Sequence, residues 1–306
     1  MPHELQEWLP RAEILSFDEI TRLVRIASDL GVSKIRVTGG EPLVRQNVLQ
    51  LFRQLGQLTR ITEIGISTNG SLLAKTAENG ETVARSLVKR RVSTANISLD
   101  TLDREMYRSI TGRDYLLQTL EGITAAKEAG FETVKLNAVL MRGRNDDALT
   151  DLVRFARTEN LLLRFIELMP VTSTDVLTEA NFLSVGEARR RLEKVFGPLI
   201  PEAEFKTNGP ASYFRFADSN QRIGFIGAMT NLHFCESCNK LRLTCEGKLR
   251  PCLGSHLEFD IKTPMRQGAT DEELRQFFEE VVERKPEQHD FRSNYQPGRR
   301  MVAIGG

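Results

Sequence analysis

Cysteine is scarce, with four in 306 residues, too few for the disulfide framework of a short, Cys-dense secreted protein. Neither sign of charge dominates. Lys and Arg number 42 against 41 Asp and Glu, a formal +1, so no global field steers the chain to nucleic acid or to an anionic membrane surface, and neither partner is expected. Any anion site must be local. Long hydrophobic runs are missing too, which sets aside a membrane span. Residues 1–15 carry Glu4, Glu7, Arg11 and Glu13 and no basic-then-apolar pattern, so no signal peptide is read there and a cytoplasmic location is expected. The chain has no low-complexity segment and no repeat beyond a strand–helix period. It is 40% hydrophobic with 22 glycines, as soluble globular proteins are, and long enough to bury a large core.

Pattern predicts an α/β fold. A helix opens at Ser16, with Glu19 three residues on as a capping box, and closes at Gly31. The strand Lys34–Thr38 follows, then a helical pattern over 47–58. Further strands are expected near 63–67, 93–99, 133–140 and 161–167, with helices near 76–90, 116–129 and 146–158. Such alternation describes βαβ units and a parallel sheet. The first helix has no strand before it, so the sheet is expected to lack its first strand. After Pro170 come a helix near 184–196, short β-like runs at 212–216 and 222–226, the cysteines, and a helix over Asp271–Arg284 opened by Thr270. A soft boundary near 200 divides a 1–200 barrel-like unit from a smaller 201–306 unit.

Two strands break the apolar rule for buried parallel strands. By period two, Lys34, Arg36 and Thr38 share a face, as do Lys135 and Asn137. Ion pairing at a sheet edge would explain one such strand; two point to a polar lumen that holds an anion. At the strand ends stand Thr38-Gly39-Gly40-Glu41-Pro42, Ser67-Thr68-Asn69-Gly70, Ser98-Leu99-Asp100 and Glu167-Leu168-Met169-Pro170. Ligands of parallel α/β folds bind at that edge. Each motif alone is ordinary turn chemistry, but four on successive strands point to a shared site.

All four cysteines lie between 235 and 252. Cys235-x2-Cys238-x13-Cys252, with Cys245 between, is ligand spacing for zinc or an iron–sulfur cluster, zinc being the commoner answer from spacing alone. Four thiolates would close a zinc site, whereas three would leave one iron of a four-iron cluster open to a substrate atom. His233 reads as a packed or solvated histidine. Lys240, Arg242, Lys248 and Arg250 in the same segment either balance thiolate charge or clamp a phosphate.

Together, Lys34 to Pro42, Ser67 to Gly70, Asn96 to Asp100, Ile110 to Arg113, Val134 to Asn137, Arg164 to Pro170, Phe234 to Leu243, Lys248 to Leu253 and the Gly305-Gly306 terminus resemble the molybdenum cofactor biosynthesis protein A family, the GTP 3′,8-cyclases of the radical S-adenosylmethionine (radical SAM) superfamily. The resemblance spans the chain. It implies a partial (β/α)6 TIM barrel followed by a C-terminal domain that carries an auxiliary 4Fe-4S cluster. S-adenosylmethionine would contact Gly40, Ser98 and Met169. GTP would lie between two clusters, its triphosphate held by Lys34, Arg36, Lys135, Lys240 and Arg242 with Ser67 nearby, and its base at the open iron of the cluster on Cys235, Cys238 and Cys252. The family's reaction takes hydrogen from C3′ of GTP so that C3′ bonds to C8 of guanine, giving (8S)-3′,8-cyclo-7,8-dihydroguanosine 5′-triphosphate.

Departures from the family pattern are Lys240 in place of Arg, Ser67 in place of Thr, and Cys245, taken as a bystander. The family's Cys-x3-Cys-x2-Cys loop, ligand of the cluster that cleaves S-adenosylmethionine, has no counterpart in the sequence. The expectation is a chain inactive as given that would gain activity with that segment supplied. A peptide-modifying radical SAM enzyme with an auxiliary cluster, and a non-catalytic GTP- or metal-binding relative, are the alternatives. A homodimer is compatible with all three.

Overall fold

The computed structural model describes residues 9–171, 177–207, 209–236, 238–291 and 295; the Gly305-Gly306 terminus lies outside them. In chain order the helices are α1 (Phe17–Asp29), α2 (Val48–Gly56), α3 (Val83–Val88), α4 (Arg104–Thr111), α5 (Leu116–Ala129), α6 (Leu149–Thr158), α7 (Val185–Phe196), α8 (Lys262–Arg266) and α9 (Asp271–Glu283). The strands are β1 (Lys34–Val37), β2 (Glu63–Thr68), β3 (Val92–Ser98), β4 (Thr133–Leu140), β5 (Leu162–Glu167), β6 (Leu199–Pro201), β7 (Ser212–Phe216), β8 (Arg222–Ile226), β9 (Arg242–Leu243), β10 (Lys248–Arg250) and β11 (Phe259–Asp260). No helix among the described residues is long and apolar enough to cross a membrane.

One eight-stranded sheet runs β1-β2-β3-β4-β5-β8-β7-β6. From β1 to β8 every pairing is parallel; β7 and β6 then add antiparallel. The sixth parallel strand is therefore β8, reached only after α7, β6 and β7 have been laid down. This is the parallel α/β sheet expected from the alternation, and it is consistent with the partial barrel that the family resemblance implies. Its outer face packs on the helices through Leu51, Phe52 and Leu55 of α2, Ile123 and Ala126 of α5, and Leu152 and Ala156 of α6, against Ile64, Ile66, Ala95, Ile97, Leu136 and Phe165. Burying each large side chain there contributes about 1.5–3 kcal/mol.

Two expectations need correction. The helix expected over 76–90 forms only from Val83, because Asn79-Gly80 makes a turn instead: Gly80 has φ +78°, and the Ala77 N–H donates to Glu81 O at 2.7 Å. A left-handed residue suits glycine and breaks a helix. Helices α4 and α8 and strands β6, β9, β10 and β11 lie where no element was expected.

The start and end of the described chain meet. Helix α1 has its capping box, with the Ser16 N–H donating to Glu19 Oε2 at 2.7 Å and the Glu19 N–H to Ser16 Oγ at 3.1 Å, and Gly31 follows it at φ +96°. Its apolar face, Leu23, Ile26 and Ala27, joins Leu15 in a second core with Leu249, Ile261, Met265, Leu274, Phe278 and Val281. At the rim Arg22 and Arg25 pair with Asp271 at 2.8 and 2.5 Å, and Arg266 pairs with Glu19 at 2.7 Å. These partly exposed pairs orient the helices more than they stabilise them. The β9–β10–β11 sheet is thereby carried on α1, next to β1 at the edge of the large sheet.

Candidate active site

Every loop singled out in the sequence sits at the C-terminal end of a parallel strand. Glu41, just past β1, accepts hydrogen bonds from Thr68 Oγ1 at 2.8 Å and from the backbone N–H groups of Asn69 at 2.7 Å and Leu43 at 3.1 Å. Burial raises its carboxyl above the usual range, and those donors counter part of the rise. The carboxylate thus locks the Gly39-Gly40 turn to the end of β2. Past β3, Asp100 accepts the Val139 N–H at 2.7 Å, and burial pushes its carboxyl up to about 6. Glu167, the last residue of β5, is fully buried. It accepts from the N–H groups of Val185, Met229 and Thr230 and from Thr230 Oγ1, at 3.0, 2.8, 3.0 and 2.5 Å. One side chain therefore fixes the end of β5, the start of α7 and the exit from β8. Gly40 and Ser98 are exposed at this edge, while Met169 is half-buried against Val171, Phe291 and Tyr295.

Inside the sheet the register aligns the cations. Arg36 lies opposite Gly65, Lys135 opposite Asn96, and Arg164 between Asn137 and Gly224; Ser67 is half-buried opposite Asn96. Lys135 is 3% exposed and Arg164 5%. Burial first, then the neighbouring Arg164, Arg36 and Lys34, push the Lys135 ammonium down to about 8. Burial and Arg164 likewise lower Arg36, and burial lowers Arg164. The carboxylate that acts on this group is Glu63, which pairs with Lys34 at 3.8 Å and accepts from Thr94 Oγ1 at 3.3 Å. Arg164 Nε donates to Asn137 Oδ1 at 2.9 Å, whereas Arg36 Nη1 is buried with no hydrogen-bond partner among the described residues. Gathering cations away from water is unfavourable without an anion to receive them. An orphaned guanidinium nitrogen is a donor set for an oxyanion.

The cysteine segment meets this group. Burial lowers Lys240, Cys238 raises it, and Arg36, Arg242 and Lys34 lower it further, so Lys240 stands between the lumen cations and the thiols. Burial lowers Arg242, with Cys238 and Cys252 acting in the opposite sense. Burial raises the Cys252 thiol, a Gly254 N–H and Lys285 pull it down, and Cys235 and Cys238 push it up. Those three thiols are half-buried and within electrostatic reach of one another. Cys245 is exposed; its carbonyl accepts the Leu15 N–H at 2.7 Å and its thiol acts on Arg45. Among the described residues no three His, Cys, Asp or Glu side chains are set to hold a metal ion. A thiol trio flanked by cations is nevertheless the donor chemistry of an anionic iron–sulfur cluster.

The structure therefore brings Lys34, Arg36, Lys135, Lys240 and Arg242 toward one lumen, places Gly40, Ser98 and Met169 along one sheet edge, and groups Cys235, Cys238 and Cys252. Sequence reasoning missed Arg164 as a site residue, although an arginine within Leu162-Leu163-Arg164-Phe165-Ile166 is the same break in an apolar strand that exposed Lys135. It also missed Glu63, and it marked Glu167 only as part of a strand-end motif: nothing local shows its role as a tie, since its donors lie 18 to 63 residues away.

This fold and edge define the radical SAM class, and residues 3–156 match the family profile described as Radical SAM superfamily. Residues 161–291 match the profile described as Molybdenum Cofactor Synthesis C. A GTP 3′,8-cyclase of Moorella thermoacetica is 44% identical over 96% of this chain and 88% of its own length, and one of Thermodesulfovibrio yellowstonii is 41% identical over 100% and 92%. The chain belongs to the GTP 3′,8-cyclase family of radical SAM proteins. A crystal structure of SuiB from Streptococcus suis bound to S-adenosylmethionine superposes with a TM-score of 0.58 at 18% identity, over 84% of this chain and 57% of that one. At that identity the likeness concerns the fold.

Proposed function

We propose that this chain binds GTP with its triphosphate among Arg36, Lys135, Arg164, Lys240 and Arg242, as the substrate of the C3′–C8 closure named in its relatives, a reaction that would also need a cluster to cleave S-adenosylmethionine. The observation that carries the reading is the buried, unpartnered Nη1 of Arg36 amid Lys135 and Arg164, with Glu63 as the counter-carboxylate. A triphosphate supplies both the missing charge and the missing acceptors. The curated relatives, named for that reaction, support the same substrate.

In this reading Gly40, Ser98 and Met169 hold S-adenosylmethionine at the sheet edge, above the lumen. Glu41 and Glu167 keep the loops on either side in register, so that the nucleotide's ribose faces that edge when its phosphates are anchored below. Cys235, Cys238 and Cys252 would hold an auxiliary 4Fe-4S cluster, beside which the guanine base would sit. Iron–sulfur and S-adenosylmethionine chemistry, when bound, supplies the one-electron step that begins hydrogen removal from C3′. No residues are assigned to the cluster that cleaves S-adenosylmethionine, since all four cysteines lie between 235 and 252. In this proposal the 1–200 barrel unit is completed by β7 and β8, which lie in the 201–306 segment that also carries the cysteines.

Calorimetric titration with GTP and guanosine tests the phosphate site without requiring turnover. Arg36→Ala, Lys135→Ala, Arg164→Ala and Arg242→Ala should each weaken GTP binding by about 1–3 kcal/mol, the scale of charge-assisted hydrogen bonds, and leave guanosine almost unchanged. Equal losses for both ligands would mean that these residues act through folding and would overturn the assignment.

A further inference from the structure

Lys285 follows α9 by two residues and sends its ammonium into the cysteine segment. Nζ donates to Lys240 O at 2.9 Å and to Pro251 O, and it stands 3.9 Å from Cys238 Sγ. A lysine ammonium has three donors and no acceptor, so these contacts use all three. The acceptors belong to two separate loops, one holding Cys238 and the other reaching Cys252 a residue later. Helix α9 is itself anchored through Leu274, Phe278 and Val281 to the core it shares with α1, so the two loops are clipped to a rigid element. A clip through carbonyls needs neither a charge nor a sulfur. The third contact brings both, since it sets a full positive charge against a sulfur of the trio.

We infer that Lys285 is a positioning residue for the three-cysteine centre: it holds the Cys238 and Cys252 loops together and makes the iron–sulfur group they hold easier to reduce. The inference rests on the reading that Cys235, Cys238 and Cys252 bind iron. Its physical basis is that cluster potentials follow net charge, hydrogen bonds to sulfur and solvent exposure. A fixed cation beside a ligating thiolate favours the more negative, reduced state.

The test uses the full chain, loaded with iron and sulfide under anaerobic conditions, as the parent and as Lys285→Arg, Lys285→Gln and Lys285→Met. Iron and sulfide per chain, thermal midpoint and the cluster's reduction midpoint from EPR-monitored titration are measured for each. Lys285→Met, which keeps the length without charge or donors, should hold less iron and show a more negative reduction midpoint. Lys285→Gln, with donors but no charge, should recover iron loading while its midpoint stays negative of the parent, and Lys285→Arg should lie close to the parent in both. If Lys285→Met loads too little iron to titrate, Lys285→Gln decides. Neutral variants with the parent's reduction midpoint would overturn the inference. A parent chain that takes up no iron at all would instead sink the cluster reading, and this inference with it.

Discussion

The Arg36 guanidinium lies over Gly65, its cross-strand partner: a Cβ built on that glycine would stand 3.1 Å from Arg36 Nη1 and 2.5 Å from Thr94 Oγ1. The same relation recurs on the other side of the lumen. A Cβ on Gly224, the partner of Arg164, would stand 2.9 Å from Arg164 Cγ and 2.8 Å from Tyr213 Cε1. Each arginine occupies the volume that its neighbour's side chain would take.

Gly65→Ala should therefore displace Arg36 and press on the short Thr94 side chain, which cannot swing far within a strand. We expect a loss of about 1–3 kcal/mol in urea unfolding, the usual cost of overpacking, together with weaker GTP binding. Gly224→Ala should do the same through Arg164. Unchanged GTP affinity in both would show that the arginines do not need these positions.

Lys135 predicts a pH signature. Its ammonium is pushed to about 8 in the folded chain, against 10.5 for an ordinary lysine. Between those values the unfolded chain binds more protons than the folded one, so Lys135 lowers stability below about pH 8, and this cost is relieved as pH rises toward 10.5. Bound triphosphate favours the protonated form, so GTP affinity should fall as pH rises through 8, with proton uptake on binding. Lys135→Met should abolish both the fall and the uptake, as read by calorimetry in buffers of different ionisation enthalpy.

The cysteines divide three to one. Cys235→Ala, Cys238→Ala and Cys252→Ala should each lose iron after anaerobic loading, and Cys245→Ala should retain it, because Cys245 is exposed and acts on Arg45, whereas Cys235 and Cys238 act on Cys252. One equivalent of zinc in the purified chain, or iron lost from Cys245→Ala, would falsify this division.

Glu167→Gln tests the tie between β5, α7 and the exit from β8. A carboxylate accepts at both oxygens, whereas the amide nitrogen of Gln faces N–H donors with its own hydrogens. Leaving a buried donor unsatisfied costs about 1–3 kcal/mol, so a stability loss of at least that size is expected. Because the network lies two residues from Met169, S-adenosylmethionine binding should weaken as well. Urea unfolding and equilibrium dialysis with the labelled cofactor measure the two effects.

Much of this architecture was legible from short stretches of chain. The capping box Ser16/Glu19 forms and Thr270 caps α9, and β2 to β5, β7 and β8 fall within two residues of where the sequence pattern places them. The cationic face of β1 and β4 followed from period two. These features depend on residues two to four positions apart, where backbone geometry alone decides which side chains share a face or reach a cap.

The sequence by itself determined the strand–helix alternation, the polar strand face, the cysteine spacing and the motifs that mark the family. Tertiary structure alone decided that β8 completes the parallel set, that α1 packs on α9 instead of closing only against the sheet, and that Glu167 joins three elements. It also decided that Arg164 enters the lumen beside Arg36, and that Lys285, two residues past α9 and 45 beyond Lys240, reaches the cysteines. A five-residue strand carries its own alternation but not the identity of its neighbours. That choice is made by the summed complementarity of surfaces brought together only when the chain has folded, and the charge environment of the site is set at the same moment.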